Sequence, residues 1–338
     1  MIKYKRICKN RKRKLYISQR RAGMSKKITI IGAGSVGATI AYTLSSETMV
    51  SEIVLIDINK EKVEGEVMDI VQGTFFRDSI SIIAGNYEDA KDSDIVIITS
   101  GIARKPGQTR IELAQTNVNI MKSIAPEIAK AAPNAFYIIV SNPVDVMTYV
   151  FTKISGIPEN QIIGSGTTLD TARLRHGLSE QLGVAQKNID AYVFGEHGDT
   201  SFILWSAARV NGLPLEEYLS TMNQCSKEPK VLDKEEMITY VRKSGGKIIA
   251  NKGATFYAVA VSVCHICSLL LSSSESVVAV STLMHGEYGV EDVCLSALAL
   301  VGPQGVQAKI PVQLTPDEVE KMQASANALK AVLNEIEL

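Results

Sequence analysis

Short runs of consecutive apolar residues alternate with longer helix-like stretches through the first half of the chain. The runs at 27–31, 53–57, 80–84, 95–99 and 135–141 are β-branched and bounded by turn residues, which predicts buried strands. The stretches 36–44, 60–72 and 112–132 between them read as helices. A repeated β-α-β order with strands apolar on both faces predicts an α/β fold, a doubly wound parallel sheet covered on both sides.

The second half changes character. A helix is predicted over 168–182, with Leu169, Ala172, Leu178 and Leu182 on one face. A strand over 190–194 leads into the tight turn Gly195-Glu196-His197-Gly198-Asp199. Residues 235–272 read as a long helical stretch broken near Asn251-Lys252-Gly253, and hairpin-like pieces follow around 277–283 and 294–300. A last helix is expected to start at Thr315-Pro316-Asp317-Glu318, with a cap residue, Pro at the first helical position and acids in the first turn. The boundary between the halves falls near 164–166, dividing the chain into units of 24–166 and 167–338, the second of α+β type. No Pro/Ser-rich linker marks that boundary, so the two units are expected to pack closely.

Composition supports a large folded body: 338 residues, 46% hydrophobic, with no internal repeat and no apolar run long enough to span a bilayer. The formal net charge of zero hides an asymmetry. Ten Lys and Arg fall in residues 1–23, which hold no acid, so the remainder is acidic by ten charges. An acidic body argues against nucleic acid as its partner. The basic extension reads as a solvated or artefactual segment ahead of a start at Met24. A basic arm for nucleic acid or acidic lipid, or an organelle targeting peptide, fits less well, because aromatic interleaving and Ser content are poor. Five cysteines suggest free thiols in a reducing, cytoplasmic setting. Cys264-His265-Ile266-Cys267 lies inside an apolar helical run with no second ligand pair, so core packing is preferred over metal or redox use, and no metal is expected. His265 is expected in the core as well, with His176 partly exposed and His285 in a polar turn.

Two motifs carry the chemistry. Gly32-Ala33-Gly34-Ser35-Val36-Gly37 follows a strand and opens a helix, and Asp57 ends the next strand twenty residues on. That context marks a dinucleotide site: glycines let the backbone approach a pyrophosphate at a positive helix N-terminus, and the acid accepts from the ribose hydroxyls. Asp57 would repel a 2′-phosphate, so NAD is favoured over NADP. His197, one of four histidines, lies between two glycines in a polar turn after the strand, as a candidate proton donor or acceptor. Asp170 and Arg173 are three apart on a predicted helix and share a face. They form either a solvated ion pair or a partner acid for His197 with a clamp for substrate.

From about Lys26 onward the chain resembles the NAD-dependent 2-hydroxy acid dehydrogenases, the family containing L-lactate and malate dehydrogenases. The resemblance rests on the glycine motif, Gly101-Ile102-Ala103-Arg104-Lys105-Pro106-Gly107-Gln108-Thr109-Arg110, Ser141-Asn142-Pro143-Val144-Asp145, Gly166-Thr167-Thr168-Leu169-Asp170-Thr171-Ala172-Arg173, and the histidine turn with Thr200. It implies a Rossmann domain followed by a substrate domain, NAD as cofactor, a small-molecule substrate and a homotetramer or homodimer. It implies His197 as proton donor to the substrate carbonyl, Asp170 as its partner, Arg173 as carboxylate clamp, Arg110 on a closing loop that polarises the carbonyl, and Asn142 orienting the carbonyl oxygen. To the cofactor it assigns Gly32, Gly34, Val36, Gly37, Asp57, Lys62, Tyr87, Thr99, Gly101, Ser123, Val140 and Asn142.

The resemblance leaves two substrates in play. Arg104 stands where malate enzymes carry an arginine for a second carboxylate, which points to oxaloacetate. Turned to solvent, or paired with Glu112, it would carry no such weight. Lys252-Gly253-Ala254-Thr255, with Thr255 beside the substrate methyl, and Glu196 before His197 resemble the branch that reduces pyruvate to L-lactate, and this branch is preferred. Many bacterial members bind fructose 1,6-bisphosphate through an Arg and a His. Arg175 matches the first position, but Asp190 occupies the second and would repel phosphate, so weak or no activation is expected. A non-enzymatic dinucleotide-binding protein acting through its basic tail would not need Asp170, Arg173, His197 and Arg110 together.

Overall fold

The computed structural model describes residues 26–338 except 48, 104–106, 108 and 226–229. Its centre is a nine-stranded sheet in the order β14-β13-β12-β6-β5-β4-β1-β2-β3. The parallel part comprises β1 (Lys27–Ile31), β2 (Glu52–Ile56), β3 (Ser81–Ala84), β4 (Ile95–Ile98), β5 (Phe136–Ile139) and β6 (Ile162–Gly164). Strands β4 and β5 are buried at every position because helices cover both sides; β1 is buried likewise after Lys27, with the Thr29 hydroxyl hydrogen-bonded to Ser93.

The second half contributes β7 (Ile189–Asp190), β8 (Val193–Phe194), β9 (Phe202–Ile203), β10 (Arg209–Val210) and β11 (Leu213–Pro214) as two small sheets. It then returns to the large sheet. β12 (Ser276–His285) lies antiparallel beside β6, pairing Ser281 with Gly164, and β13 (Glu291–Gly302) and β14 (Gly305–Lys309) complete the edge. The two halves therefore share one sheet. They also share a core. Val263, Ile266 and Cys267 of the helix Tyr257–Leu271 pack with Ile28, Ile30 and Ile40 of the first half.

Several expectations need correction. The strand predicted over 190–194 is two strands, β7 and β8, which pair in different sheets on either side of Ala191-Tyr192. Ala172 is exposed; the buried stripe of Thr168–Leu182 runs through Leu174, Leu178 and Leu182, spaced by four. His265 is on the exposed face of its helix, while Cys264 and Cys267 on the same helix are buried, as core packing requires. Burial pushes the Cys264 thiol up to about 12, so it is held as an inert thiol. Arg110 belongs to no loop. It is the first residue of the helix Arg110–Ala131, which Thr109 and Glu112 cap reciprocally. The basic extension and Met24 fall outside the described residues. Among the described residues no helix is long and apolar enough to cross a membrane.

Candidate active site

The site lies at the carboxyl ends of the parallel strands, where β1 and β4 diverge in connection order. Gly32 leaves β1 at φ +108°. A Cβ there would stand 2.6 Å from Thr99 Oγ1, and one on Gly37 would stand 1.8 Å from the Gly32 carbonyl oxygen. Both glycines let backbone pack on backbone. Gly34 is different: a Cβ would meet nothing within 4 Å, so its open side is room for a ligand at the start of the helix Ser35–Leu44. The Thr99 hydroxyl donates to the carbonyls of Ile31 and Gly32 and fixes this turn. Asp57 accepts the Ala33 N–H at 2.6 Å with Oδ2 and the Asn59 N–H at 2.9 Å with Oδ1, holding the acid at the edge of the glycine loop.

A cavity of about 860 Å³ runs along this loop, lined by Gly32, Gly34, Asp57, Lys62, Tyr87, Thr99, Gly101 and Ser123. A second cavity, of about 440 Å³, shares Thr99 and Gly101 with it and adds Val36, Val140, Asn142, Asp170, Arg173, His197 and Thr255. The two together form an elongated cleft with an acid at one end and an imidazole at the other. That shape and donor set fit a dinucleotide extended over the glycine loop. Arg110 lines neither cavity. Its guanidinium is ion-paired with the Asp199 carboxylate, two residues beyond His197, and both side chains are largely exposed. Arg104 lies outside the described residues.

Asp170 sits in the first turn of the helix Thr168–Leu182, which leaves β6. Its two oxygens serve two cations: Oδ2 meets His197 Nδ1 at 2.5 Å, and Oδ1 accepts from Arg173 Nη1 at 2.9 Å. Burial works against the Asp170 charge, but the imidazole and the guanidinium outweigh it and hold the carboxyl below its usual range. In return the Asp170 charge raises the His197 imidazole above its usual value, against the cost of burial. With Nδ1 committed to Asp170, Nε2 is the nitrogen left for the cavity.

The helix start is anchored on both sides. Thr167 donates to the Val193 carbonyl and Thr168 to the Ala279 carbonyl at 2.7 Å. Arg173 is admitted by Gly245, where a Cβ would stand 3.3 Å from Nη2. The histidine turn is held from three elements. Gly195, at φ +90°, bridges to Ser296 of β13; the Glu196 N–H donates to Ser325 Oγ at 2.8 Å; the His197 N–H donates to Asp145 Oδ2 at 2.7 Å.

These geometric features coincide with a family match over nearly the whole described chain. Residues 26–164 match the model of the lactate/malate dehydrogenase NAD binding domain, and residues 167–338 match that of the lactate/malate dehydrogenase alpha/beta C-terminal domain. The chain belongs to the lactate/malate dehydrogenase family. Among curated relatives of this family, the chain is 43% identical to L-lactate dehydrogenase of Acetivibrio thermocellus over 313 residues, covering 93% of this chain and 98% of that protein. It is 42% identical to L-lactate dehydrogenase of Clostridium botulinum over 308 residues, covering 91% and 96%. Two solved lactate dehydrogenases superpose with a TM-score of 0.87. One comes from a Medee basin deep-sea metagenome library, at 36% identity and covering 92% of this chain and 98% of that one. The other is the minor L-lactate dehydrogenase of Enterococcus mundtii, at 35% identity and covering 93% and 99%.

Within this lactate/malate dehydrogenase site, several contributors went unassigned in the sequence. Asn117 is 2% exposed. It accepts the Ile102 N–H at 2.9 Å and donates to the Asn142 carbonyl at 2.7 Å, tying the segment after β4 to the turn after β5. Arg242 lines the smaller cavity and donates to the Ser201 carbonyl. Asp145 and Ser325 hold the histidine turn. Asn117, Arg242 and Ser325 carry no local motif, and Asp145, although it ends Ser141-Asn142-Pro143-Val144-Asp145, has its partner, His197, 52 residues on. Arg175 and Asp190 lie apart from the cleft residues. Arg175 Nε donates to the Ala191 carbonyl at 3.1 Å with its guanidinium over the Tyr192 ring, and Asp190 is on β7 opposite Arg209.

Proposed function

We propose that this chain is an NAD-dependent L-lactate dehydrogenase that interconverts pyruvate and L-lactate. The observation that carries this reading is the Asp170-centred triad with His197 and Arg173, facing one cavity that opens into the glycine-loop cleft. NADH bound in that cleft supplies the hydride. Arg173 binds the substrate carboxylate with the guanidinium edge that Asp170 leaves free, a planar fork that lysine does not offer. His197, charged through Asp170, gives the proton from Nε2 to the carbonyl oxygen of pyruvate and takes it back in the oxidation of lactate. Asn142 orients that oxygen, and Thr255 lies beside the substrate methyl. Arg110 leaves Asp199, two residues beyond His197, to reach the carbonyl and polarise it.

In this reading residues 24–166 bind the cofactor and residues 167–338 complete the substrate pocket, although one sheet runs through both. We assign the protein to the cytoplasm on its buried free thiols Cys264, Cys267 and Cys294. A homodimer or homotetramer is supported by the exposed apolar side chains of Met68, Phe75 and Phe76 on and beyond the helix Lys60–Gly73.

The deciding measurement is kcat/KM for pyruvate against oxaloacetate. Pyruvate is expected to be preferred. A preference for oxaloacetate above about tenfold, or 1.4 kcal/mol, would overturn the assignment in favour of malate. The cofactor assignment has its own test. Asp57→Ser removes a charged acceptor at the ribose position, so the NAD over NADP ratio of kcat/KM is expected to fall by roughly one to two powers of ten. An unchanged ratio removes Asp57 from that role.

A further inference from the structure

Asp145 has no part in holding substrate or cofactor, yet it is one of the most deeply placed carboxylates in the protein. It lies in the first turn of the helix Val144–Ile154 and is 3% exposed. Oδ2 accepts the His197 N–H at 2.7 Å, and Oδ1 accepts the Ser281 hydroxyl at 2.5 Å from β12. An asparagine would satisfy both partners, its Oδ1 accepting from His197 and its Nδ2 donating to Ser281 Oγ. It would also avoid the cost of burying a charge, several kcal/mol per ion. A carboxylate at this place therefore asks what the charge does.

The surroundings answer. The charged groups acting on Asp145 are His197, which favours its ionised form, and Glu196 of the same turn, which opposes it. Cys294 faces it from β13 as a buried thiol, and Ser281 faces it from β12. On the other side of the equation, the imidazole of His197 is acted on by Asp170, Asp145 and Arg173; the two acids favour its protonated form and Arg173 opposes it. Burial pushes the Asp145 carboxyl up to about 6, against the Ser281 hydroxyl, the His197 N–H and the His197 imidazole, which favour its charge.

We propose that Asp145 is a positioning residue for the reaction: its buried carboxylate fixes the backbone of His197 and supplies, beside Asp170, a second negative charge at the histidine turn. This deepens the dehydrogenase reading and rests on His197 as the proton donor.

Two variants separate the parts of the proposal. Asp145→Asn keeps both hydrogen bonds and removes the charge; Asp145→Ala removes both. The imidazole of His197 is titrated by NMR in the cofactor-free full-length protein, with His197→Asn identifying its resonance among the four histidines. Asp145→Asn is expected to lower that imidazole pKa by roughly half a unit or more. The fall of kcat/KM for pyruvate with rising pH should move to lower pH by the same amount, and kcat on the acid side of that fall should be kept. Asp145→Ala is expected to lose about tenfold or more in kcat there as well, because the turn is released. An unchanged imidazole pKa in Asp145→Asn removes the charge role, and full acid-side turnover in Asp145→Ala removes the positioning role. Should Asp145→Ala fail to fold, Ser281→Ala decides. It strips one donor, raises the Asp145 pKa and so weakens its hold on the imidazole near pH 6; an unmoved His197 titration there overturns the proposal. The titration needs no substrate. A wild-type protein inactive on pyruvate would defeat the substrate assignment and leave this measurement to stand alone.

Discussion

His197→Asn should lower kcat for pyruvate reduction by about three powers of ten, within the range that a positioned general acid contributes. Asparagine fits the turn and still presents an amide to Asp170, but it cannot deliver a proton from the place of Nε2. The cleft beside Gly32, Gly34 and Asp57 is untouched by the change, so NADH is expected to bind with little loss. Stopped-flow turnover and NADH fluorescence titration measure the two halves separately. Near-native turnover would remove His197 from the chemistry. Loss of both turnover and NADH binding would show instead that the turn supports the cleft as a whole.

Asp170→Asn is expected to cost almost as much, roughly two to three powers of ten in kcat/KM. The carboxylate does three jobs at once. It fixes Nδ1, charges the ring, and holds Arg173 Nη1 at 2.9 Å. Its amide replacement no longer holds His197 above its usual value, so the alkaline decline of kcat/KM should shift to lower pH. The stability effect has a definite sign. The raised His197 contributes stability that is full below its unfolded value of 6.5 and lost as pH rises through its folded value. The depressed Asp170 contributes stability that is full above its unfolded value of 3.8 and lost as pH falls through its folded value. The difference in Tm between wild type and Asp170→Asn should therefore be largest between those limits and shrink on both sides. A difference independent of pH would mean that the pair contributes through packing alone.

Much of the frame was legible along the chain for a physical reason. Parallel strands covered on both faces are buried on both, so β1, β2, β4 and β5 stand out as short runs rich in Ile, Val and aromatic residues. The glycine motif, Asp57, Asp170, Arg173 and His197 were legible because each sits in a local pattern. The helix Val144–Ile154 was not. Val144–Phe151 is buried without a break, so no polar face signals its period. β6, at three residues, is too short for a pattern. Ala172 was misplaced because a small apolar residue costs little on the exposed side of a helix. Asn117, Ser281 and Ser325 could not be seen at all, and Asp145 was visible only as the end of a motif, without its role. Each is a single polar residue whose partner is brought near only by the closed sheet, as when β12 sets Ser281 beside Asp145, 136 residues earlier.

The helix Tyr257–Leu271 has a consequence for inheritance. Its inner face fills the core beneath β1 and the helix Ser35–Leu44, with Cys264 reaching the Ile40 carbonyl. A chimaera joined near Gly164, with its front from this chain and its back from a relative sharing fewer than half its residues, would set side chains of two lineages against each other across that seam. Each mismatch in volume costs about 1–3 kcal/mol. Recombination between such genes should therefore succeed most often when the crossover points carry 257–271 along with the front half, although the foreign residues 165–256 lie between them. The unit that evolution can exchange is discontinuous, and a single cut in the gene does not contain it.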